Sequence, residues 1–156
     1  MNVPIMPPQP MEDPAEHIVY VAPTAGNTLT SHQFLKLVTG KASPSASADA
    51  SVFGLSMGIF PDPSGKLNQN TIPAWRSRVG QRLWMNVSGA VLAQTHLGGQ
   101  FGLVVTNGVA MVDLTNTTEK IFEIVELGPV AGQLPLGGIG DTNARVLVEI
   151  IGGAAQ

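Results

Sequence analysis

One serine in this 156-residue chain lies in a motif that could carry out covalent chemistry. Ser56 lies in Gly54-Leu-Ser-Met-Gly58, which matches the Gly-x-Ser-x-Gly pattern of a hydrolase nucleophile. That pattern needs a sharp turn into a helix, but here an extended run follows and breaks at Pro61. A hydrolase is therefore a distant alternative, and it requires an exposed Ser56.

Metal and phosphate sites find no support in the spacing of polar residues. His17, His32 and His96 are far apart, and the chain has no cysteine, so thiolate ligands and disulfides are excluded. The run Gly137-Gly-Ile-Gly140 precedes a strand, so no helix N-terminus follows it to bind phosphate. We predict no catalytic residue, no cofactor, no metal ligand and no enzymatic activity.

One region combines basic and aromatic side chains. Its members are Lys66, Trp75, Arg76, Arg78, Arg82 and Trp84. Base stacking on nucleic acid is one interpretation, but the net charge of −3 gives no general attraction to phosphate. Arg and Trp are also typical anchors of protein interfaces, so we predict a loop or lateral contact surface. A glycan-binding module that stacks sugars on Trp75 and Trp84 is the alternative.

Carboxylates make the C-terminal third acidic. They are Asp113, Glu119, Glu123, Glu126, Asp141 and Glu149. Alternation places most of them on exposed strand faces, so a solvated surface is the simplest interpretation. The alternative is an acidic lateral surface that meets the basic region, Lys66 to Arg82, of a neighbouring copy.

The N-terminal residues 1–16 are predicted to form an extended arm. Five prolines between Met1 and Ala15 hold the backbone extended and remove hydrogen-bond donors. A disordered tail is one possibility. Four apolar side chains favour an arm that lies along a neighbouring subunit: Val3, Ile5, Met6 and Met11.

The composition indicates an all-β chain that associates with other chains. Charged residues make up only 12% of the sequence, which also contains 18 glycines and 12 prolines. So little charge leaves much of the surface neutral and prone to association. We predict a single β domain over residues 17–156, an antiparallel β-barrel or β-sandwich of seven or eight strands. No eighteen-residue apolar run occurs, so no membrane span is predicted.

The stretch from Gln100 to Leu127 is predicted to organise the fold as a three-stranded meander. Asn107-Gly108 separates two β-rich runs and predicts a type I′ hairpin turn, in which both residues need positive φ. A polar turn at Thr115 to Thr118 then leads to the third strand. Further strands are predicted at 17–22, 32–38, 51–60, 82–87 and 144–151, with a small-residue loop at 39–51.

Two stretches resemble the small capsid decoration, or cement, proteins of tailed phages. The first runs from Thr30-Ser-His-Gln-Phe-Leu-Lys-Leu-Val-Thr-Gly40 through Ala48-Asp-Ala-Ser-Val-Phe-Gly-Leu55 to Gly58. The second runs from Gln100-Phe-Gly-Leu103 through Val112-Asp-Leu-Thr-Asn-Thr-Thr118 to Gly140-Asp-Thr-Asn-Ala-Arg-Val-Leu-Val-Glu149. The resemblance implies a β-barrel or β-sandwich on the outside of a phage head, commonly a trimer over junctions between capsid subunits, without an active site.

The expected function is therefore structural. We expect a homotrimer on the outer surface of the virion that binds the major capsid protein and stabilises its subunit contacts, with neither nucleic acid nor membrane as a partner. The expected interface residues are Val3, Ile5, Met6, Met11, Trp75, Arg76, Arg78, Arg82 and Trp84. The alternative is a head-fibre or tail-associated module that recognises a host glycan.

Overall fold

The computed structural model describes residues 4–11, 17–24, 28–58, 71–128 and 137–152. Its strands are β1 (Gln9–Pro10), β2 (Ile18–Val21), β3 (Phe34–Val38), β4 (Lys41–Pro44), β5 (Gly54–Ser56), β6 (Ile72–Arg76), β7 (Arg82–Ser88), β8 (Gln100–Thr106), β9 (Val109–Asp113), β10 (Phe122–Glu126) and β11 (Arg145–Ile150). A short 3-10 turn covers Gln94–His96. The predicted all-β fold is confirmed, and of the two predicted architectures, barrel or sandwich, the structure forms a closed barrel together with a second sheet.

Five strands close into a barrel. Their order is β7-β11-β10-β8-β9, and β9 returns to β7, so the sheet has no edge within this ring. The closing β7–β9 pairing is parallel and short, at Val87 with Val112 and Ser88 with Asp113. The other pairings around the ring are antiparallel.

Five of the other six strands form a second sheet in the order β2-β6-β5-β3-β4, and the sixth, β1, pairs with β7 of the barrel. The two outer strands of the second sheet are linked through the residues that follow β2. The N–H of Thr24 donates to the carbonyl of Ala42 at 2.8 Å, and the N–H of Ala42 donates to Ala22 at 2.7 Å. The sheet therefore curls until its edges touch at one point.

One hydrophobic core joins the two sheets. Phe34, Leu55 and Trp75 lie side by side across β3, β5 and β6 and pack into the core that fills the barrel. The rings of Phe34 and Phe122 are 5.8 Å apart. Alternate residues of the same strands, including Leu35 and Ala74, enter a separate apolar cluster on the other face. The second sheet is therefore buried on both faces at these strands.

The predicted hairpin at Asn107-Gly108 is confirmed, but the predicted meander is wrong. Asn107 and Gly108 have φ of 50° and 78°, and they join β8 to β9. The third strand, β10, pairs with β8 instead of β9, so β8 lies between the other two. The free side of β9 pairs with β7 because that contact closes the barrel.

Two segments predicted as loops contain strands. In residues 39–51, the turn Thr39-Gly40 leads into β4, which pairs with β3 along its length. In the basic and aromatic region, β6 crosses the centre of the second sheet between β2 and β5. The predicted strand at 51–60 is β5 at Gly54–Ser56; residues 59 and 60 lie outside the described residues, as does Lys66.

Candidate functional site

The outer wall of the barrel at β7 and β11 carries three side-chain pairs. The register places Arg82 opposite Glu149, Trp84 opposite Leu147, and Asn86 opposite Arg145. Alternation in a strand sends Leu83, Met85 and Val87 into the core. The intervening polar and aromatic side chains therefore lie in one stripe on the outside.

Residues 4–11, the arm segment, lie against this wall. Gln9 pairs with Trp84 and Pro10 with Leu83, and the N–H of Met11 donates to the Arg82 carbonyl at 3.0 Å. Pro8 is buried. The arm segment thus pairs with the start of β7, at Leu83 and Trp84. β9 pairs with the opposite end of β7, at Val87 and Ser88.

Asn86 and Arg145 bind the backbone of the arm segment. The side-chain amide of Asn86 donates to the Pro4 carbonyl at 3.1 Å and accepts from the Met6 N–H at 3.0 Å. The Arg145 guanidinium donates to the carbonyls of Met6 at 3.5 Å and Pro7 at 3.1 Å. We call these two residues, with the β7 edge at Arg82 to Trp84, the arm cradle.

The two cradle side chains also fix each other. Arg145 donates to the Asn86 Oδ1 atom at 3.0 Å, and the Asn86 Nδ2 atom donates to the Asn143 carbonyl at 2.6 Å. Asn143 has a φ of 57°, a backbone conformation that asparagine tolerates better than most residues. The cradle is therefore preorganised by the turn that precedes β11.

Arg145 is a buried cation surrounded by neutral oxygens. Its side chain is 1% exposed, and its hydrogen-bond acceptors in the described chain are two backbone carbonyls and one amide oxygen. Burial lowers the pKa of the Arg145 guanidinium to about 10, so it stays charged at neutral pH. A proline-rich strand suits such a cation because it offers carbonyl acceptors with few competing N–H donors.

The arm residues predicted to form an interface are only partly covered by the barrel. Ile5 and Met11 remain 41% and 54% exposed, and Met6 is half-buried. Val3 lies outside the described residues. The docked arm segment therefore presents apolar side chains to the exterior.

The burial of Trp75 contradicts its predicted place in an interface. Its side chain is fully buried between the second sheet and the barrel, and its Nε1 atom has no hydrogen-bond partner among the described residues. It cannot anchor a partner or stack a sugar in this fold. Trp84 is half-buried and lies on the outer wall beside Gln9, so only one of the two predicted tryptophans faces outward.

The three arginines of the basic region already have contacts within the chain. The Arg76 guanidinium lies 4.6 Å from the centre of the Phe53 ring, and Arg78 contacts His17. Arg82 donates to the Glu149 carboxylate at 3.1 Å. All three side chains are at least partly accessible.

Two of the acidic side chains, Glu123 and Glu149, share one surface with Arg82. Gln100, Glu123, Glu149 and Arg82 form a row across four strands of the barrel. Glu123 and Glu149 are directly opposite each other, an arrangement that like charges disfavour. The predicted acidic and basic lateral surfaces are therefore not separate at this point, because Arg82 lies beside Glu149 in the same molecule.

The residues considered for chemistry have structural contacts. Ser56 is fully buried, and its hydroxyl binds the carbonyl of Thr30 and the N–H of Gln33, so the nucleophile interpretation is wrong. The His96 ring accepts from the Ala93 N–H at 3.0 Å and packs edge-on against Phe101. Within the described ranges, no group of three His, Asp or Glu side chains could hold a metal ion.

Asn86 and Arg145 were missed as functional residues by sequence reasoning. Both lie in predicted strands, and each places a polar side chain among apolar neighbours. That exception to the apolar pattern was the available signal. The sequence does not give the strand register, which sets these two residues opposite each other although 59 positions separate them.

Comparisons with known proteins identify no relative. No protein-family model, no curated protein and no solved structure matches the chain. Among the described residues, no helix is long and apolar enough to cross a membrane.

Proposed function

We propose that this chain is a structural protein that decorates the outer surface of a tailed-phage head and stabilises contacts between major capsid subunits. The observation that carries the proposal is the arm segment, which is fixed on a closed barrel while Ile5 and Met11 stay exposed. Such an element offers apolar contact area at little cost in conformational entropy, because its backbone is already ordered.

The fold is compatible with a protein that stabilises contacts between other subunits. A closed barrel has no free edge within its ring, and one core joins it to the second sheet. The two stretches that resemble decoration proteins lie in both parts, the first over β3 to β5 and the second over β8 to β11. A homotrimer and a location on the virion surface belong to the same proposal.

The contact with the shell would be made by the arm segment together with Trp84 and Arg82. These residues are neighbours on one wall, where Gln9 faces Trp84 and Met11 binds the Arg82 carbonyl. Tryptophan and arginine are enriched among the residues that dominate binding energy at protein interfaces, and the exposed aliphatic side chains add apolar contact area. The glycan alternative is weaker because Trp75, one of its two stacking residues, is buried.

The test is co-sedimentation of the purified protein with undecorated phage heads. We expect binding at micromolar concentration, and its absence there would refute the decoration role. The double variant Ile5→Ser/Met11→Ser should bind about tenfold more weakly, which corresponds to about 1.4 kcal/mol. Leu97→Ser is the matched control, because Leu97 is 46% exposed on a barrel loop outside the arm.

A further inference from the structure

We propose that the arm cradle is an exchange site, in which residues 4–11 of a second copy of this chain replace the chain's own arm segment. The inference goes beyond capsid binding and does not depend on it. The occupant is the same segment from another molecule, bound through the same hydrogen bonds to Asn86, Arg145 and the β7 edge.

The contacts that hold the arm segment are made by its backbone. Asn86 and Arg145 bind the main-chain groups of Pro4, Met6 and Pro7, and β7 pairs with Gln9 and Pro10. None of these bonds requires that the arm and the barrel belong to the same polypeptide. An identical segment from a neighbour satisfies them equally well, which is the condition for domain swapping.

The chemistry of the cradle selects this segment over an arbitrary strand. Buried Arg145 is left without a carboxylate partner in the described chain, so its charge depends on carbonyl oxygens. Prolines at positions 4, 7, 8 and 10 keep their carbonyls but have no N–H, so the segment offers more acceptors than donors. An empty cradle would leave Arg145 without two acceptors, so an arm that leaves its own cradle is best replaced by another arm.

The topology allows the exchange at a single connection. The arm segment pairs with the barrel, but the next strand in the chain, β2, belongs to the second sheet. Only five residues separate Met11 from His17 in the sequence. A short connection holds an arm near its own cradle at an effective concentration of about 1 mM, so exchange should appear as protein concentration approaches that value.

Disulfide trapping in the full-length protein tests the proposal. The antiparallel register places Met11 opposite Arg82, both side chains are exposed, and the chain has no native cysteine. Directly opposed strand residues are within the range that a disulfide can span. We would mix Met11→Cys protein with Arg82→Cys protein, oxidise mildly and detect the linked peptides by mass spectrometry. A bond between positions 11 and 82 in this mixture can only join two chains.

We expect this intermolecular bond to form, and its yield to rise between about 10 μM and 1 mM protein. The control mixture pairs Met11→Cys with Ser88→Cys, which is on the same outer face of β7 but six residues along the strand from Arg82, the residue that faces Met11. Its yield should be at least about tenfold lower. The double variant Met11→Cys/Arg82→Cys serves as the positive control for closure within one chain.

Closure within the double variant without any cross-link between the two single variants at 1 mM would overturn the proposal. Equal yields with positions 82 and 88 would also overturn it, because they would indicate random collision. Phage heads are absent from this experiment, so its failure leaves the decoration role unaffected. Loss of head binding would, conversely, say nothing about exchange.

Discussion

Two hairpin turns place different residues in the same backbone conformation. Thr39-Gly40 joins β3 to β4 with φ of 50° and 78°, and Asn107-Gly108 joins β8 to β9 with the same pair of values. Asparagine visits this left-handed region readily, whereas a β-branched residue such as threonine is strained there. The backbone conformation of Thr39 therefore lowers the stability of the fold.

We expect Thr39→Asn to raise the free energy of unfolding by about 0.5–1 kcal/mol, since left-handed backbone costs an ordinary residue roughly 1–2 kcal/mol. Asn107→Thr makes the reverse change in the matching turn and should lower the free energy of unfolding by a similar amount. Urea denaturation of both variants measures the effect. Shifts of the same sign would contradict the explanation by turn strain.

Asp141 gives the loop before β11 a dependence on pH. The Gly138 N–H donates to its carboxylate at 2.9 Å and holds the pKa of Asp141 below its ordinary value of 3.8. Because the folded-state pKa is the lower one, the ionised group stabilises the fold above pH 3.8. That contribution is lost as the pH falls through the folded-state value.

The variant Asp141→Asn should therefore be less stable than the wild type at neutral pH. The difference between the two should shrink as the solution is acidified below pH 3.8. Urea denaturation of both proteins over a pH series measures it. A difference that stays constant across the series would show that ionised Asp141 does not stabilise the loop.

At the level of elements, strand β5 lies very close to the backbone of its neighbour β6. A Cβ atom added at Gly54 would lie 2.4 Å from the Trp75 carbonyl oxygen, which is backbone of β6 and cannot move aside. The sequence predicted a strand here, over residues 51–60. It did not indicate the neighbour, because β6 was assigned to a loop.

Gly54→Ala should lower the free energy of unfolding by about 2–3 kcal/mol, as overpacking of a rigid site does. Gly152→Ala is the control, since its added Cβ would meet only the Lys120 carbonyl at 3.1 Å. We expect Gly152→Ala to lower the free energy of unfolding by less than about 1 kcal/mol. Chemical denaturation compares the two, and equal losses would argue against a backbone clash at Gly54.

The elements show which patterns predict structure and which do not. Asn107-Gly108 predicted its hairpin because the turn geometry is local, and the all-β class followed from composition and alternation. The order of β8, β9 and β10 did not follow, because barrel closure brings β9 to β7 from a distant part of the sequence. β4 was missed because its sequence, Lys-Ala-Ser-Pro, lies in a low-complexity stretch of mostly small residues that resembles a linker.

The candidate site shows the same division between local and distant information. Ile5 and Met11 were predicted as interface residues from the apolar side chains of a proline-rich stretch, which is a local signal, and both are exposed in the structure. Trp75 and Trp84 have similar surroundings in the sequence, yet one is in the core and the other on the wall. Only the strand register distinguishes them, and the same register brings Asn86 to Arg145.

At the level of the whole molecule, the shared core predicts one cooperative unit. Phe34, Leu55 and Trp75 from the second sheet pack into the core that fills the barrel, so neither part can open without exposing apolar surface of the other. The two tryptophans provide reporters in different parts, because Trp75 is in β6 and Trp84 in β7.

In Trp84→Phe protein, the fluorescence of Trp75 reports the core around β6, where the second sheet packs on the barrel, while far-ultraviolet circular dichroism reports all strands. We expect both signals to change at the same urea concentration, with a single transition. Phe34→Ala in this background should lower the free energy of unfolding by about 3–5 kcal/mol without splitting that transition, because the removed ring contacts both the sheet and Phe122 of the barrel. Two separate transitions in the Trp84→Phe protein would instead mean that the barrel and the second sheet fold independently, as two domains.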